Sequence, residues 1–485
     1  MMNQNKDTVT AANKADVTNT AETVAVSAPA SKSVSHRYLM GAALAHGTSV
    51  VRHTLESRDL ERTRAILCAA GAKMEELPES TPSSGAWRVT GMHGRPSGGT
   101  AATPLSCDVE ESGTTCRLLT AVLAAGHGVF RIHGAGRMHE RPIAELTNAL
   151  ATLGAKTVFE EKPDCPPCVI TADGLDPSRC GGMVELGMDI SSQYFSGLLL
   201  AAPMGPSPLT LSLGGRKAVS WPYVGLTLQC LTDYGIKFEV QTRPDAAAAW
   251  QTLPDGAWRQ LAEARPGCLR VTVHPGRYQA GQYTVEGDWS GASYLLAAGA
   301  LGHRPVRVEG LRADSLQGDR AMLEILQKMG ARVSVEPQAV TVYPSRLHGV
   351  ELDMGHCPDL VPTVAMLAAF AQGSTRIRNV AHLRHKESDR IKAPATELAK
   401  TGVIVDELSD GMLVNGLGGR NNGKPNHPVL PEGQSLSAHN DHRIAMSLAL
   451  LDLCLPEATV RSRLDDPSVV RKSFPQFWNV WGRLA

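Results

Sequence analysis

The sequence has no long apolar run and no excess of either charge. No apolar stretch reaches the roughly 18 residues that a membrane-spanning helix requires. Lysine plus arginine and aspartate plus glutamate both number 48 in 485 residues, so the formal net charge is +0. No bulk electrostatic attraction to nucleic acid or to a membrane surface is therefore expected, and any basic site must be a local concentration of cations.

The first 22 residues lack arginine and lack an apolar segment. Their polar composition predicts a disordered tail over residues 1–22, and neither a secretory nor a transit peptide. The ten cysteines are scattered apart from Cys165-Pro-Pro-Cys168. A single C-x-x-C with no second pair and no histidine at ligand spacing is weak evidence for a metal site. We expect no metal, reduced thiols and a cytoplasmic location.

What the chain does contain is an internal repeat. Hydrophobic residues make up 42% of the sequence and charged residues 20%, which suffices for a sizeable core, and the length corresponds to two or three domains of about 150 residues. A helix of small apolar residues, a Gly or Pro break and a short alternating strand recur six times. The copies begin at residues 38, 118, 195, 294, 364 and 444.

A second helix, a small or Gly break and another strand follow most copies, and the sixth copy ends early. Alternating helix and strand periods predict α/β units. Units of about 75 residues are larger than a solenoid repeat, so two globular lobes of three units each are predicted. Residues 241–267, rich in Ala, Pro and Gly, are interpreted as a surface insertion in the third unit, with a lobe boundary following near residues 285–288.

Matched positions in the repeat carry helix-capping and charged residues. The segments before each first helix contain Ser, Thr, Asp, Asn or Gly, the residues that cap helix N-termini, where free N–H groups can hold an anion. The loops after each first strand mostly carry Arg or Lys beside Ser, Glu or Asp. Their correspondence predicts one cleft for a small ligand with several phosphate or carboxylate groups. The cations it would gather are Lys32, Arg37, Arg117, Arg141, Arg390, Arg443 and Lys472.

Each of these motifs also has an ordinary structural explanation. Caps occur on most helices, surface cations are usually solvated, and His442 alone is more typical of a structural than of a catalytic histidine. Only their coincidence across the repeats favours a site, and that coincidence does not name a reaction.

Eight segments resemble, in order, the motifs of the enolpyruvyl transferase family. They are PASKSVSHR (29–37), ESGTTCR (111–117), RMHERP (137–142), SSQ (191–193), VEGDWSGASY (285–294), KESDR (386–390), NDHR (440–443) and RKSFP (471–475). The resemblance spans roughly residues 24–485. It implies an α/β protein with a two-lobed inside-out α/β barrel and three βαβαββ units in each lobe. Residues 32–285, with the insertion near 241–267, would form the N-terminal lobe, and residues 286–485 plus 24–31 the C-terminal lobe, with hinges near residues 30 and 286.

The resemblance also implies a reaction. The chain would transfer the enolpyruvyl (carboxyvinyl) group of phosphoenolpyruvate to the 5-hydroxyl of shikimate 3-phosphate and release phosphate through a tetrahedral intermediate. The reaction belongs to the shikimate pathway of aromatic amino acid biosynthesis. No metal or organic cofactor is expected, the partners are these two small molecules, and a monomer that binds neither nucleic acid nor membranes is expected.

Site residues follow from the same resemblance. Shikimate 3-phosphate would be bound by Lys32, Ser33, Arg37, Ser191, Ser192, Gln193, Ser220, Asp359, His382 and Lys386, with Tyr223 lining the site. Phosphoenolpyruvate would be bound by Lys32, Gly113, Arg141, Gln193, Arg390, Arg443 and Lys472. A general base must face the hydroxyl and a general acid the methylene carbon. The resemblance gives these roles to Asp359 and Glu387, with Lys32 as an alternative acid or base.

The sequence departs from the family pattern at several positions. Ala30 replaces a usual Gly, Glu111 and His382 replace common Asn residues, as does His36, and Leu118 replaces a common Pro. Glu111 adds a negative charge beside the expected phosphoenolpyruvate site, which would weaken anion binding or alter inhibitor tolerance.

Two rival functions remain. The sister transferase acting on UDP-N-acetylglucosamine usually has a Cys in the loop corresponding to residues 134–141, where this chain has none. A catalytically silent anion-binding protein is the other rival, since a fold alone does not establish a reaction.

Overall fold

The computed structural model describes residues 22–81, 84–261, 263–421, 424–454 and 460–485. The tail predicted for residues 1–22 lies outside these ranges, apart from the exposed Glu22. Within them, no helix has both the length and the apolarity needed to cross a membrane. The same residues contain no group of three His, Cys, Asp or Glu side chains placed to hold a metal ion. Cys165 and Cys168 are buried free thiols.

Helices occupy most of the positions that the repeat predicts. The α-helices are α1 (Lys32–Leu44), α2 (Arg58–Ala69), α3 (Gly113–Ala124), α4 (Ala144–Thr152), α5 (Gln193–Ala201), α6 (Trp221–Asp233), α7 (Trp289–Leu301), α8 (Met322–Lys328), α9 (Val361–Phe370), α10 (Lys392–Ala399), α11 (His442–Leu448), α12 (Val460–Arg463) and α13 (Phe477–Trp481). Short 3₁₀ helices lie at Gly136–Glu140, Pro177–Cys180, Ala202–Met204, Ala257–Gln260, Gly318–Ala321, Pro358–Leu360, Ala381–His385, Ala449–Cys454 and Pro467–Lys472.

Short strands alternate with the helices. They are β1 (Val24–Ser27), β2 (Thr48–Leu55), β3 (Lys73–Glu76), β4 (Ser84–Thr90), β5 (Leu105–Asp108), β6 (His127–His133), β7 (Lys156–Phe159), β8 (Cys168–Asp173), β9 (Met183–Met188), β10 (Leu209–Ala218), β11 (Phe238–Thr242), β12 (Gln251–Thr252), β13 (Leu269–Val273), β14 (Gln282–Thr284), β15 (Val306–Glu309), β16 (Arg332–Glu336), β17 (Ala339–Tyr343), β18 (Glu351–Asp353), β19 (Gln372–Arg378), β20 (Ile404–Leu408), β21 (Gly411–Leu417), β22 (Arg420–Asn421) and β23 (Lys424–Pro425).

The strands form several small mixed sheets with one recurring order. In the sheet β5-β6-β8-β7, the first two strands are parallel and the remaining neighbours antiparallel. The sheet β18-β19-β21-β20 repeats this arrangement, and β9, β10, β13 and β11 repeat it with β12 added at the edge. A helix connects each parallel pair, as a parallel crossover requires.

Two sheets exchange their first strands. Strand β1 pairs in parallel with β15, more than 270 residues later, whereas β14 pairs in parallel with β2. The two connecting segments run beside each other, joined by a bridge between Ala30 and Gly287. Ser31 N donates to Glu286 O at 2.8 Å, and Asp288 N donates to Pro29 O at 2.7 Å. The chain therefore crosses twice at one point.

Buried apolar side chains form two separate cores. The first contains residues from Ala30 to Val285, and the second contains Val26, Ala28 and residues from Trp289 to Trp481. Their central helices are apolar on all sides because they are enclosed by neighbours: every residue from Trp289 to Ala300 in α7 is buried. Such helices are typical of core positions.

The sixth repeat and the segment 241–267 differ from expectation. The strand predicted after residue 454 lies partly outside the described residues, and its described part, Val460–Arg463, is helical. The segment predicted as a surface insertion contributes β12 and also reaches the first core, since Trp258 is 6% exposed. Trp221 Nε1 donates to Leu261 O at 3.1 Å, which ties this segment to α6.

Candidate active site

The starts of the repeat helices meet at one cavity between the two cores. Helices α1, α3, α5, α7, α9 and α11 begin in the segments where caps were predicted, which confirms those helix starts. Side chains of Ser31, Ser112, Asp288 and Asp441 cap four of them. The residues lining the cavity are Lys32, Ser33, Asp59, Gly113, Thr114, Arg141, Ile190, Ser191, Ser192, Gln193, Ser220, Tyr223, Asp288, Ser290, Gly291, Pro358, Asp359, Lys386, Glu387, Arg390, His442, Arg443 and Ser473.

Arg390 forms the centre of the charged cluster. Its guanidinium is 2% exposed and lies 2.9 Å from Asp359 Oδ1, 2.5 Å from Glu387 Oε2 and 2.8 Å from Asp441 Oδ2. Burial lowers the pKa of Arg390, but the three carboxylates outweigh it and raise the pKa above its ordinary value. The arginine therefore stays charged and fixes two carboxylates at the cavity wall.

The two carboxylates expected to act in catalysis are held ionised. Burial raises the pKa of Asp359, yet Arg443, whose Nη2 lies 2.7 Å from Asp359 Oδ2, and Arg390 bring it below the ordinary value. Burial likewise raises the pKa of Glu387, and Arg390 with Lys472, at 3.6 Å, lowers it well below the ordinary value. Opposite charge thus outweighs desolvation at both groups.

Lys32 begins α1 and is fixed by two carboxylates. Its Nζ lies 2.5 Å from Asp59 Oδ2, and its backbone N donates to Asp288 Oδ2 at 2.9 Å. Burial raises the pKa of Asp59, but the Lys32 ammonium reverses the effect and lowers it. The ammonium therefore points into the cavity beside a permanent counter-ion.

Arg141, Gly113 and Gln193 form a second cationic and polar wall. Arg141 Nη1 donates to Glu111 O at 3.2 Å, while its buried Nε has no hydrogen-bond partner among the described residues. The guanidinium lies so close to Gly113 that a Cβ there would overlap it, so this position requires glycine. Gln193 is oriented by Arg117 and Thr114, each at 2.9 Å.

Serine side chains and one lysine complete the opposite wall. Ser220 has φ +57° and donates its backbone N–H to Gly355 O at 3.1 Å, a contact between the two cores. Ser191 Oγ accepts from Gln193 N at 3.2 Å. Burial lowers the pKa of Lys386 to about 8, although Asp359 opposes the shift.

Three of the predicted binding residues lie behind the cavity wall. Arg37 is enclosed in the first core, where it donates to Thr227 Oγ1 at 2.8 Å and to the carbonyl oxygens of Ser33 and Tyr223. His382 is buried, and burial lowers its pKa to about 3, so its imidazole is neutral. Lys472 Nζ lies close to Glu387 but does not contribute to the lining.

Glu111 makes a contact across the cavity that its position in sequence does not reveal. Asn440 Nδ2 donates to Glu111 Oε2 at 3.2 Å, and Lys472 Nζ lies 3.7 Å from the same oxygen. Both partners belong to the second core, whereas Glu111 begins α3 in the first. The carboxylate thus occupies a position beside a cation of the cavity.

Sequence analysis missed the carboxylates that hold the cations. Asp59, Asp288 and Asp441 all lie in the capping segments and loops that were singled out, but they were taken only as caps or polar loop residues. An acidic residue next to each basic one was the available signal. Together, the cavity presents several fixed cations and two ionised carboxylates, which suits binding and proton transfer on a polyanionic ligand.

Comparison with known proteins identifies the family. The family model described as EPSP synthase (3-phosphoshikimate 1-carboxyvinyltransferase) matches residues 18–252 and 263–481, and its gap falls inside the segment 241–267. A 3-phosphoshikimate 1-carboxyvinyltransferase from Methanosphaerula palustris is 36% identical over 460 residues, 94% of this chain and 96% of the relative. One from Ralstonia nicotianae is 36% identical over 470 residues, 95% of this chain and 96% of the relative.

Solved structures show the same fold. EPSP synthase from Acinetobacter baumannii superposes with a TM-score of 0.68 at 23% identity, covering 96% of both chains. The enolpyruvyl transferase NikO from Streptomyces tendae gives 0.65 at 20% identity, covering 96% of this chain and 94% of that one. With a family model matched over nearly the whole length and relatives above one-third identity, this chain belongs to the EPSP synthase (3-phosphoshikimate 1-carboxyvinyltransferase) family.

Proposed function

We propose that this chain transfers the enolpyruvyl group of phosphoenolpyruvate to the 5-hydroxyl of shikimate 3-phosphate and releases phosphate. The observation that carries the proposal is the Arg390 cluster, in which Asp359 and Glu387 flank one buried guanidinium at the wall of a cationic cavity. Two fixed carboxylates match a reaction that removes one proton from oxygen and delivers another to carbon. The relatives are named for this reaction.

Shikimate 3-phosphate is assigned to the wall formed by the serines, Tyr223 and Lys386. Hydroxyl groups and a lysine ammonium suit a phosphate and ring hydroxyls, because they supply donors around a compact anion. Ser191, Ser192, Ser220 and Gln193 all line this part of the cavity. Arg37 fixes the backbone of Ser33 and Tyr223 from behind, and His382 packs beneath the same wall, so we assign both to the support of this subsite.

Phosphoenolpyruvate is assigned to the cations around Arg390. Its carboxylate pairs with Arg390, Arg443 and Lys472, and its phosphate with Arg141, Lys32, Gln193 and the Gly113 backbone at the start of α3. A helix N-terminus next to a buried arginine is a strong phosphate site. Close contact is possible because Gly113 has no side chain.

Proton transfer follows from the positions of the carboxylates. Asp359 accepts the proton of the 5-hydroxyl as its oxygen attacks the central carbon of phosphoenolpyruvate. The methylene carbon gains a proton, and its loss again expels phosphate and restores the double bond. Glu387 performs the carbon step, since a bound carboxylate competes for Arg390 and Lys472 and raises the pKa of Glu387. Lys32 is the alternative acid and stabilises the developing charge.

Movement of the two cores completes the proposal. We infer two lobes of the inside-out α/β barrel type, the first comprising residues 32–285 and the second residues 286–485 with 24–31. The crossing segments at Ala30 and Gly287 are then the hinge, and closure excludes water from the intermediate. All assigned residues come from one chain, which supports a monomer, and we infer a cytoplasmic enzyme that uses no cofactor.

The test is phosphate release from the purified protein with both substrates. Release that requires shikimate 3-phosphate and phosphoenolpyruvate, and that falls by about 100-fold or more in Glu387→Gln and Lys32→Met, is expected. Glu75→Gln is the matched control because Glu75 is exposed and pairs with Arg88 far from the cavity. Release only with UDP-N-acetylglucosamine would assign the chain to the sister reaction. Absence of release with either acceptor would indicate a silent anion-binding protein.

A further inference from the structure

Asp319 is a buried carboxyl group beside the cavity to which the proposed reaction gives no role. It lies in the 3₁₀ helix Gly318–Ala321 and is 2% exposed. Ser290 Oγ donates to Asp319 Oδ2, and Oδ1 has no hydrogen-bond partner among the described residues. An ionised carboxylate needs donors at both oxygens, whereas a protonated one needs fewer. This environment favours a carboxyl group that carries a proton.

A tyrosine hydroxyl links Asp319 to Asp359. Tyr223 Oη lies 3.4 Å from Asp319 Oδ2 and 3.2 Å from Asp359 Oδ2. One hydroxyl can donate its proton to either carboxylate while accepting a proton from the other. Tyr223 begins in α6 of the first core, and both carboxyl groups belong to the second, so the link exists only where the cores meet.

The surrounding charges differ sharply between the two carboxyl groups. Asp359 forms ion pairs with Arg390 and Arg443. In the described chain, Asp319 has hydroxyl contacts from Ser290 and Tyr223 and no ion pair. The charged and titratable groups that face it are Asp359, Arg443, Asp288, Tyr223 and the buried thiol of Cys357.

These surroundings separate the acidities of the pair. Burial, followed by the negative charge of Asp359, raises the pKa of Asp319 to about 7, and the more distant Arg443 opposes this only in part. The pKa of Asp359 is held below its ordinary value. A carboxylate stabilised by two arginines is a weak base, whereas a base that titrates near the operating pH transfers protons most efficiently.

We propose that Asp319 is the final acceptor of the substrate hydroxyl proton, which reaches it from Asp359 through the Tyr223 hydroxyl. This inference rests on the proposed function. The substrate O–H bond breaks as the proton passes to Asp359. Asp359 then passes it to Tyr223 Oη while the tyrosine proton moves to Asp319. Asp359 is left ionised again between its arginines, and Asp319 becomes a neutral acid that releases the proton to solvent after turnover.

The decisive experiment is the pH profile of kcat/KM for shikimate 3-phosphate. Asp319 must be ionised to accept a proton, so kcat/KM of the unaltered enzyme should rise with pH through about 7. Asp319→Asn and Tyr223→Phe should each lose this rise and lower kcat by about tenfold or more. Asp314→Asn is the control in the same loop, since Asp314 is 76% exposed and pairs with Arg312. It should retain the full profile.

Structural damage and loss of the relay give different results. A damaged protein would lose affinity for shikimate 3-phosphate in titration calorimetry while keeping the pH at which kcat/KM rises. The relay predicts the opposite: near-normal affinity and a missing rise. If Asp319→Asn does not fold, Tyr223→Phe alone carries the test. A rise at the same pH in a folded Asp319→Asn or Tyr223→Phe enzyme would overturn the proposal.

A measurement without substrate separates this inference from the proposed function. Infrared difference spectra of the free protein between about pH 6 and about pH 8 should show one protonated carboxyl band that disappears on ionisation. Asp314→Asn should keep the band and Asp319→Asn should lose it. An inactive enzyme with this band would overturn the reaction but not the protonated Asp319. An active enzyme whose Asp319→Asn variant keeps the band would overturn the inference alone.

Discussion

At the scale of single residues, Glu111 places a carboxylate where an anionic ligand is expected to bind. Its Oε2 lies 3.7 Å from Lys472 Nζ and accepts from Asn440 Nδ2. Phosphoenolpyruvate would have to compete with this carboxylate for Lys472. The departure from the family pattern noted in the sequence therefore acquires a physical consequence only through the contact between the two cores.

Replacing Glu111 should strengthen phosphoenolpyruvate binding. Glu111→Gln keeps a group that can contact Asn440 but removes the charge, so the KM for phosphoenolpyruvate should fall about two- to fivefold. Glu110→Gln serves as control, because Glu110 pairs with Arg58 at 3.1 Å and Arg62 at 3.3 Å, away from Lys472. An unchanged KM in Glu111→Gln, or an equal fall for both substrates, would contradict the competition.

Lys386 should make the binding of shikimate 3-phosphate sensitive to pH. Burial lowers its pKa to about 8, so the ammonium is present below this pH and is lost above it. The affinity measured by calorimetry without phosphoenolpyruvate should therefore weaken by up to about tenfold per pH unit above that value. Lys386→Arg retains its charge and should flatten the decline. Equal slopes in both proteins would show that Lys386 does not control it.

At the scale of elements, the repeat determined most helix starts. Ser, Asp and small apolar residues at fixed positions predict a capped helix locally, and α1, α3, α7 and α11 begin with side-chain caps there. The sixth unit was mispredicted because an alternating pattern at Val460–Arg463 is too short to distinguish strand from helix. Packing against the second core decided the outcome.

The segment 241–267 is an element whose role only packing reveals. Its composition suggested an exposed insertion, yet Trp258 packs edge-on against Phe238 with ring centroids 5.8 Å apart. Leu261 O accepts the Trp221 indole N–H. The segment therefore covers the outer side of α6 and β11.

Truncating Trp258 should destabilise the protein substantially. Trp258→Ala removes a buried ring and should lower the free energy of unfolding by roughly 3 to 5 kcal/mol in chemical denaturation. Gln260→Ala, two residues away on the exposed side, should change it by no more than about 0.5 kcal/mol. Similar small effects for both would mean that the segment is only a surface attachment.

At the scale of the whole molecule, the two chain crossings hold the cores in register. Gly287 N donates to Gly310 O at 3.1 Å and bridges Ala30, while Gln317 Nε2 donates to Gly287 O at 2.7 Å. A Cβ at Gly287 would overlap the carbonyl oxygen of Gly310. The crossing therefore has no room for a larger residue.

Gly287→Ala should disturb this crossing. We expect the free energy of unfolding to fall by about 1 to 3 kcal/mol, with slower phosphate release because both cavity walls move. Gly225→Ala is the control: a Cβ there meets no atom within 4 Å, and alanine favours a helix by about 0.5 to 1 kcal/mol. If Gly287→Ala were as stable and active as Gly225→Ala, the crossing would be more tolerant than its geometry indicates.

The sequence by itself determined the repeat, the capped helix starts, the resemblance and most cavity-lining residues, because these depend on local periodicity and short motifs. It also located every cation of the Arg390 neighbourhood. The tertiary structure alone decided which carboxylate holds which cation. Lys32 and Asp288 are 256 residues apart, and Arg390 and Asp441 are 51 apart. Ion pairing and desolvation depend on distances of a few ångströms between such segments, which the folded cores set and no local pattern records.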